Sequence, residues 1–360
     1  MSRIRIGVVG CGHLGAIHAR LLSSRSDVEL VGVVDPCEGP RGAVAKSLCC
    51  EGFASPEDLI GKVDAAVVAA PTGLHAPISI PLLESGVDLL VEKPLASTVE
   101  DARAIVIAAR RYGRTVAVGH VERFNPAWKL AMDHVGKLVA IQAHRQAPFT
   151  FRSMDVGVVL DLMIHDIDLV LSLEPGRLES VEAQGFVATG GHEDLVRARL
   201  SFSSGIIADL FASRIHPAVR RSLSLVSTGS IVDVDFNEKT VTTMTPSSCV
   251  RDGSFVASDI PVEQRQAMKD SFFSEILPTR TETAVEANAI ACEHENFLES
   301  IQTGQAPVVP ASGGAAAIEI AGRVLDALAK SQFGASQGPA VVPIASESVV
   351  HSFLKHRKTG

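Results

Sequence analysis

The stretch Arg3–Asp35 reads RIRIGVVGCGHLGAIHARLLSSRSDVELVGVVD, and its interpretation decides the fold. An apolar run, Ile4 to Val9, meets three glycines, Gly10, Gly12 and Gly15, at G-x-G-x-x-G spacing. A helical segment follows from about Leu14 to Leu22, then a second apolar run, Val28 to Val34, ends on Asp35. Strand, glycine turn, helix, strand and acid in that order are the parts of a dinucleotide cradle. Gly10 permits the tight turn, Gly12 lets a pyrophosphate approach the backbone, and Gly15 lets the helix lie close. The first N–H groups of the helix have no partners within it and point at the phosphates. Asp35 can accept both ribose hydroxyls of an adenosine. Its carboxylate repels a 2′-phosphate, and the nearest cation along the chain is Arg41, so NAD is expected over NADP.

A chain of 360 residues suggests about two domains. Its hydrophobic content of 46% is ample for buried cores. A net charge of −8 argues against general affinity for nucleic acid. Six cysteines with no C-x-x-C pair read as reduced thiols of a cytoplasmic protein. The apolar, basic N-terminus belongs to the strand–helix rhythm and is not read as a signal peptide. No apolar run reaches the ~18 residues of a membrane span.

Onward from Asp35 the rhythm continues. Ser55-Pro56-Glu57-Asp58-Leu59 looks like a helix start, Val63–Ala70 like a buried strand, and Ala76–Glu84 like a helix. Val87–Val91 is a strand, Thr98–Tyr112 an amphipathic helix capped by Thr98, and Val116–Val118 a short strand. Alternation at this pace predicts an α/β fold whose N-terminal part is a Rossmann-type, doubly wound parallel sheet. Ligands of such sheets sit beyond the carboxyl ends of the strands. Candidate cofactor contacts there are Gly10, Gly12, His13, Leu14, Gly15, Asp35, Thr72, His75, Glu92 and Lys93.

After about Pro126 a helix, Trp128–His134, leads to the strand Leu138–Gln146. Six further β-like runs between Leu178 and Met244 predict a C-terminal α+β domain with a large, open, mostly antiparallel sheet. Residues 246–283 look like a polar excursion or flap, Thr283–Gln302 and Ser312–Lys330 like helices. The expected boundaries are 1–124 for the dinucleotide domain and 125–330 for the substrate and oligomerisation domain. The tail, 331–360, is unplaced.

Two places concentrate chemistry. Lys93 follows an apolar strand and precedes Pro94, at the carboxyl edge of the sheet, where an amine can serve proton transfer. The run Leu160–Asp168, LDLMIHDID, places Asp161, His165 and Asp168 at i, i+4 and i+7 on one helix face. A carboxylate and an imidazole on an apolar-backed helix make an acid–base unit. With no cysteine or second histidine in that run, no metal site is assigned.

The glycine loop, Pro71-Thr72-Gly73-Leu74-His75, Glu92-Lys93-Pro94 and Asp161-x-x-x-His165-x-x-Asp168 occur in order. Together they resemble the glucose-fructose oxidoreductase / inositol 2-dehydrogenase (Gfo/Idh/MocA) family over roughly residues 3–330. The resemblance implies that Lys93 and His165 act at the carbon exchanging hydride, with Asp161 contacting substrate. The chain departs from the family pattern at Thr72, often Asn, and at Met163, often Gly; both bear on substrate identity. Gly119-His120-Val121-Glu122-Arg123-Phe124-Asn125-Pro126 adds a narrower likeness to the UDP-N-acetylglucosamine 3-dehydrogenase branch. It implies oxidation of a sugar C3 hydroxyl, with His120, Arg123, Asn125, Asp161 and His165 as substrate contacts. The turn at 123–125 can equally be a linker set by Pro126. The rival expectations are a dehydrogenase of a free polyol or phosphosugar, and an inert ligand sensor, which would be expected to lose Lys93 or His165. A homodimer or homotetramer is implied by resemblance.

Overall fold

β1 (Ile4–Val9) is central to a six-stranded parallel sheet, in a computed structural model that describes residues 3–151 and 154–331. α1 (His13–Ser23) and β2 (Val28–Val34) complete the first unit. α2 (Glu38–Leu48), β3 (Glu51–Phe53), β4 (Ala65–Val68), α3 (His75–Glu84), β5 (Asp88–Glu92), α4 (Val99–Tyr112) and β6 (Val116–Gly119) follow. The strand order is β3-β2-β1-β4-β5-β6, so it reverses between β1 and β4, the point where such sheets bind ligands. β4 is buried throughout, as is β5 up to Val91, because helices cover both faces. Thr98 caps α4 by accepting from Asp101 N, and Gly113 closes it in the left-handed conformation.

One local expectation fails here, and one stretch forms elements that no signal announced. Ser55–Leu59 makes only a 3₁₀ turn, although its reciprocal capping contacts form. Between Pro36 and Ala54 the sequence signals no element, yet α2 and β3 occupy it. α2 opens on Glu38-Gly39-Pro40 and buries no residue, so it lacks the apolar stripe by which a helix is recognised.

α5 (Pro126–Met132) leads to β7 (Leu138–Gln146). A π-helical turn, Val159–Met163, runs into α6 (Ile164–Leu171). β8 (Leu178–Phe186), β9 (Leu195–Phe202), β10 (Ile207–Ser213), β11 (Arg220–Ser227), β12 (Ile231–Asp235) and β13 (Thr240–Met244) come next. α7 (Ser248–Arg251), α8 (Arg265–Ser271) and β14 (Thr279–Thr283) complete the eight-stranded sheet, ordered β14-β13-β12-β11-β7-β10-β9-β8. All its pairs are antiparallel except β7 with β10. The excursion expected over 246–283 thus ends in an edge strand. The helix expected from Thr283 begins only at α9 (Ala289–Thr303), where Asn288 accepts from Ala291 N as its cap. β14 is exposed at all its residues and lacks the apolar alternation that marks a strand.

Inward-facing Ile141, Ala143, Ala198, Leu200, Leu210, Leu223 and Val232 pack the second sheet against α6 and α10 (Ala311–Lys330). α9 and α10 then return to the first sheet. Phe297 and Leu298 join Ile6, Val8 and Leu22 in one core. Gly314 lies so close to β6 that a Cβ there would stand 2.8 Å from Val118. The unplaced tail lies, from residue 332, outside the described residues. Among the described residues no helix is long and apolar enough to cross a membrane.

Candidate active site

The glycine loop is built by sterics. Gly10 adopts φ +100°, and a Cβ there would lie 2.5 Å from the Ala69 carbonyl oxygen. At Gly15 a Cβ would lie 1.8 Å from the Gly10 carbonyl oxygen. Gly12 has nothing within 4 Å of its Cβ position, so the open side of the loop is there. Gly12 also caps α1 without a side-chain bond, and the first turn holds no acid. The helix N-terminus therefore keeps its N–H groups and positive end for an anion, which fits a dinucleotide pyrophosphate. Asp35 is locked beside it, accepting from Cys11 N at 2.9 Å and Cys37 N at 2.8 Å, one bond per carboxylate oxygen. Each oxygen retains a lone pair for a ribose hydroxyl. Arg41 donates to the Asp35 carbonyl oxygen at 2.7 Å, and so is turned to the main chain. His13 and Leu14 are exposed at the loop. Gly15→Ala is expected to weaken NAD binding by at least about tenfold, ~1.4 kcal/mol. Fluorescence titration measures it, and unchanged affinity would mean that the loop relaxes at no cost.

Three expected cofactor contacts separate. Thr72 is half-buried in a 3₁₀ turn at the end of the β4 loop. His75 is buried, and its ring bridges the Pro94 and Ala70 carbonyl oxygens, each at 2.9 Å. It braces two loops and has no free nitrogen for a cofactor, which corrects the expectation. Glu92 is likewise turned away: one oxygen meets His18 Nε2 at 2.8 Å and the other accepts from Lys93 N at 3.1 Å.

Lys93 reaches across to the second domain. Its Nζ donates to the Asp161 carbonyl oxygen at 2.8 Å and to Asp161 Oδ1 at 3.3 Å. Asp161 lies in the π-helical turn, and His165 stands in the first turn of α6. One extra residue in the turn breaks the uniform i, i+4, i+7 spacing, as π-bulges do at many functional sites. Asp161 and His165 remain partly accessible, whereas Asp168 is buried beside Arg123, at 3.7 Å. His165 Nδ1 is buried without a partner, which leaves Nε2 as the nitrogen open to the cleft. Burial first, then the nearby Lys93 ammonium and Arg145, hold this imidazole well below the ordinary histidine range, so it is neutral.

His120 is buried and Asn125 half-buried. His120 is 1% exposed, with both ring nitrogens sealed, and its ring meets His165 edge-on at 6.2 Å. Asn125 caps α5 by accepting from Ala127 N and donates to Glu122 Oε2 at 3.0 Å. Both ends of its side chain thus serve the linker turn, the alternative that Pro126 suggested. Arg123 remains partly accessible behind Asp168.

One network escaped the sequence. Arg145 on β7 is buried, donating to Asp166 through Nε and Nη2 (2.7 Å for the latter) and to Glu122 through Nη1 at 2.8 Å. Burial opposes ionisation of Glu122, but Arg145 outweighs it and holds the carboxyl below its ordinary value. Arg145 occupies an inward position of a strand otherwise facing in with Ile141 and Ala143. A charge at that phase is the signal that would have found it.

Comparisons with known proteins cover both sheets of the chain. Residues 4–120 match the oxidoreductase family with NAD-binding Rossmann fold, and residues 128–232 match the GFO/IDH/MocA C-terminal domain. The chain is 34% identical over 242 residues to UDP-N-acetylglucosamine 3-dehydrogenase of Acidithiobacillus ferrooxidans, covering 67% of this chain and 77% of that one. The solved structure of that organism's enzyme GnnA superposes with a TM-score of 0.79 at 28% identity, covering 91% of this chain and 98% of the other. A scyllo-inositol 2-dehydrogenase (NAD(+)) of Bacillus subtilis is 29% identical over 60% of this chain and 68% of its own. With its parallel nucleotide sheet, its paired second sheet and both halves matched, the chain belongs to the Gfo/Idh/MocA family of NAD-binding oxidoreductases.

Proposed function

We propose that this chain oxidises the C3 hydroxyl of UDP-N-acetylglucosamine to the 3-keto sugar, using NAD in preference to NADP. The observation that carries the reading is the junction of Lys93 Nζ with Asp161 beside a neutral His165, at the carboxyl end of β5. His165 accepts the hydroxyl proton at Nε2. Lys93, held by Asp161, donates to the hydroxyl oxygen and stabilises the charge that develops on it. Asp161 and Arg123 orient the sugar from the second domain. NAD, when bound over the glycine loop, supplies the hydride acceptor. The similarity to the Acidithiobacillus enzyme supports the substrate. The similarity to the inositol dehydrogenase supports the rival, a free polyol.

The test is NADH formation from UDP-N-acetylglucosamine, inositol and glucose 6-phosphate in parallel. Turnover of the nucleotide sugar alone is expected. Turnover of either other compound alone moves the function to the polyol or phosphosugar class, and none with any of them removes the proposal. Replacing NAD by NADP in the same assay should lower kcat/KM by at least about tenfold, through the Asp35 carboxylate. The homo-oligomer implied by resemblance belongs to the same proposal, and sedimentation velocity measures it.

A further inference from the structure

Behind Lys93, on the side away from the cleft, three elements bring together residues far apart in the chain. His18 comes from α1, Glu92 from the end of β5, and Glu293 from α9. One ring nitrogen or carboxylate oxygen from each lies within 4.8 Å of the others. His18 and Glu293 are buried, and the Glu92 side chain is 12% exposed.

The cluster is unbalanced as protein alone. Both Glu293 oxygens are buried and have no hydrogen-bond partner. No lysine or arginine of the described residues pairs with Glu92 or Glu293; Lys93 spends its ammonium on Asp161. A buried carboxylate without partner or counter-charge is costly, several kcal/mol even after relaxation.

The geometry points to a divalent cation held by His18, Glu92 and Glu293. Two carboxylates and one neutral imidazole balance a charge of +2 without help from any other residue. His18 Nε2 and Glu92 Oε1 stand 2.8 Å apart. Two ligands of one ion on bonds of about 2.0–2.1 Å lie about 2.9 Å apart at a right angle and about 3.4 Å apart at the tetrahedral angle, so the pair is close to an octahedral edge and opens by roughly half an ångström around a tetrahedral Zn²⁺. His294 supplies the outer support: its Nε2 meets His18 Nδ1 at 2.7 Å. With the Nδ1 proton given to His294, His18 keeps its Nε2 lone pair for the ion, the usual way a ligating ring is oriented. The donor set has one imidazole, carboxylate oxygens and no thiolate, which selects Zn²⁺ or Mn²⁺. Such an ion ties α9, which follows the second sheet, to α1 and β5 of the first.

The test uses the full chain, stripped with chelator and dialysed against Zn²⁺ or Mn²⁺. Elemental analysis after desalting is expected to find about one equivalent of ion per chain, with a raised thermal midpoint. Glu293→Gln should retain at least about tenfold less ion and lose the thermal response, while His294→Gln should weaken affinity by about 10–100-fold. A wild-type protein that retains neither ion, and whose midpoint neither ion moves, overturns the proposal even if both variants fail to fold. Retention by Glu293→Gln equal to wild type does so too. Neither readout involves turnover, so the result stands apart from that of the proposed dehydrogenation.

Discussion

Replacing His165 by asparagine is expected to lower kcat by about 10²–10⁴-fold, the usual weight of a positioned proton acceptor. That corresponds to ~2.7–5.5 kcal/mol of barrier. NAD affinity should stay near wild type, because His165 stands on α6 and the glycine loop on the other domain. Lys93→Met should cost a similar factor, since Nζ is fixed at the same place by Asp161. The double variant should be little worse than either single one, as for groups that act as a unit. The pH profile separates the roles. A base works when neutral, and burial with Lys93 and Arg145 depresses the protonation of His165. The acid limb of kcat/KM should therefore lie below the ordinary histidine pKa of about 6.5, with activity level from there to neutral pH. His165→Asn should abolish that limb in the residual rate. A limb at or above the ordinary value, or near wild-type turnover in both single variants, would remove the acid–base assignment.

The same burial has a stability consequence with a definite sign. His165 and His120 are both depressed below their unfolded value, chiefly by burial. The unfolded chain then binds protons that the folded chain refuses. Their contribution is whole above about pH 6.5 and is lost as pH falls from there toward the folded pKa values.

Arg145→Met is the second large effect. It leaves Glu122 and Asp166 buried without their ion-pair partner, with only the more distant Arg221 to offset them, and breaking such a pair from one side costs about 3–5 kcal/mol. The thermal midpoint should drop on the order of 10 °C, measured by calorimetry. Arg145→Lys should recover little, because one ammonium cannot span both carboxylates as the fork does. Adding Glu122→Gln and Asp166→Asn to Arg145→Met should recover much of the loss by removing the stranded charges. A midpoint for Arg145→Met within a degree or two of wild type would show that the network is solvated, contrary to its burial. Glu122 belongs to the turn after β6, Arg145 to β7 and Asp166 to α6, so these bonds join the two sheets next to His165.

Much of the fold was legible because its signals are short-range. Leu138–Gln146 was read to the residue from its strand-like alternation. Where apolar phase is missing, as in α2 and β14, the sequence was silent. In the candidate site, Lys93, Asp161 and His165 were singled out by type and position, and the structure brings Lys93 onto Asp161. His75, Glu92, His120 and Asn125 were singled out in the same loops, yet their polar atoms are bonded within the protein or, at His120, sealed against His165.

The sequence by itself determined the two sheets, the glycine turn with its acid at position 35 and the residues from which a site is assembled. These follow from backbone sterics and periodic burial, which act between neighbours in the chain. Only the tertiary structure decided which polar atoms face the cleft and which are consumed within the protein. That choice depends on partners tens to hundreds of residues away: Pro94 for His75, Asp161 for Lys93, and Glu293 near Glu92 and His18. A π-helical turn that shifts the phase of one segment leaves no mark in the order of its residues.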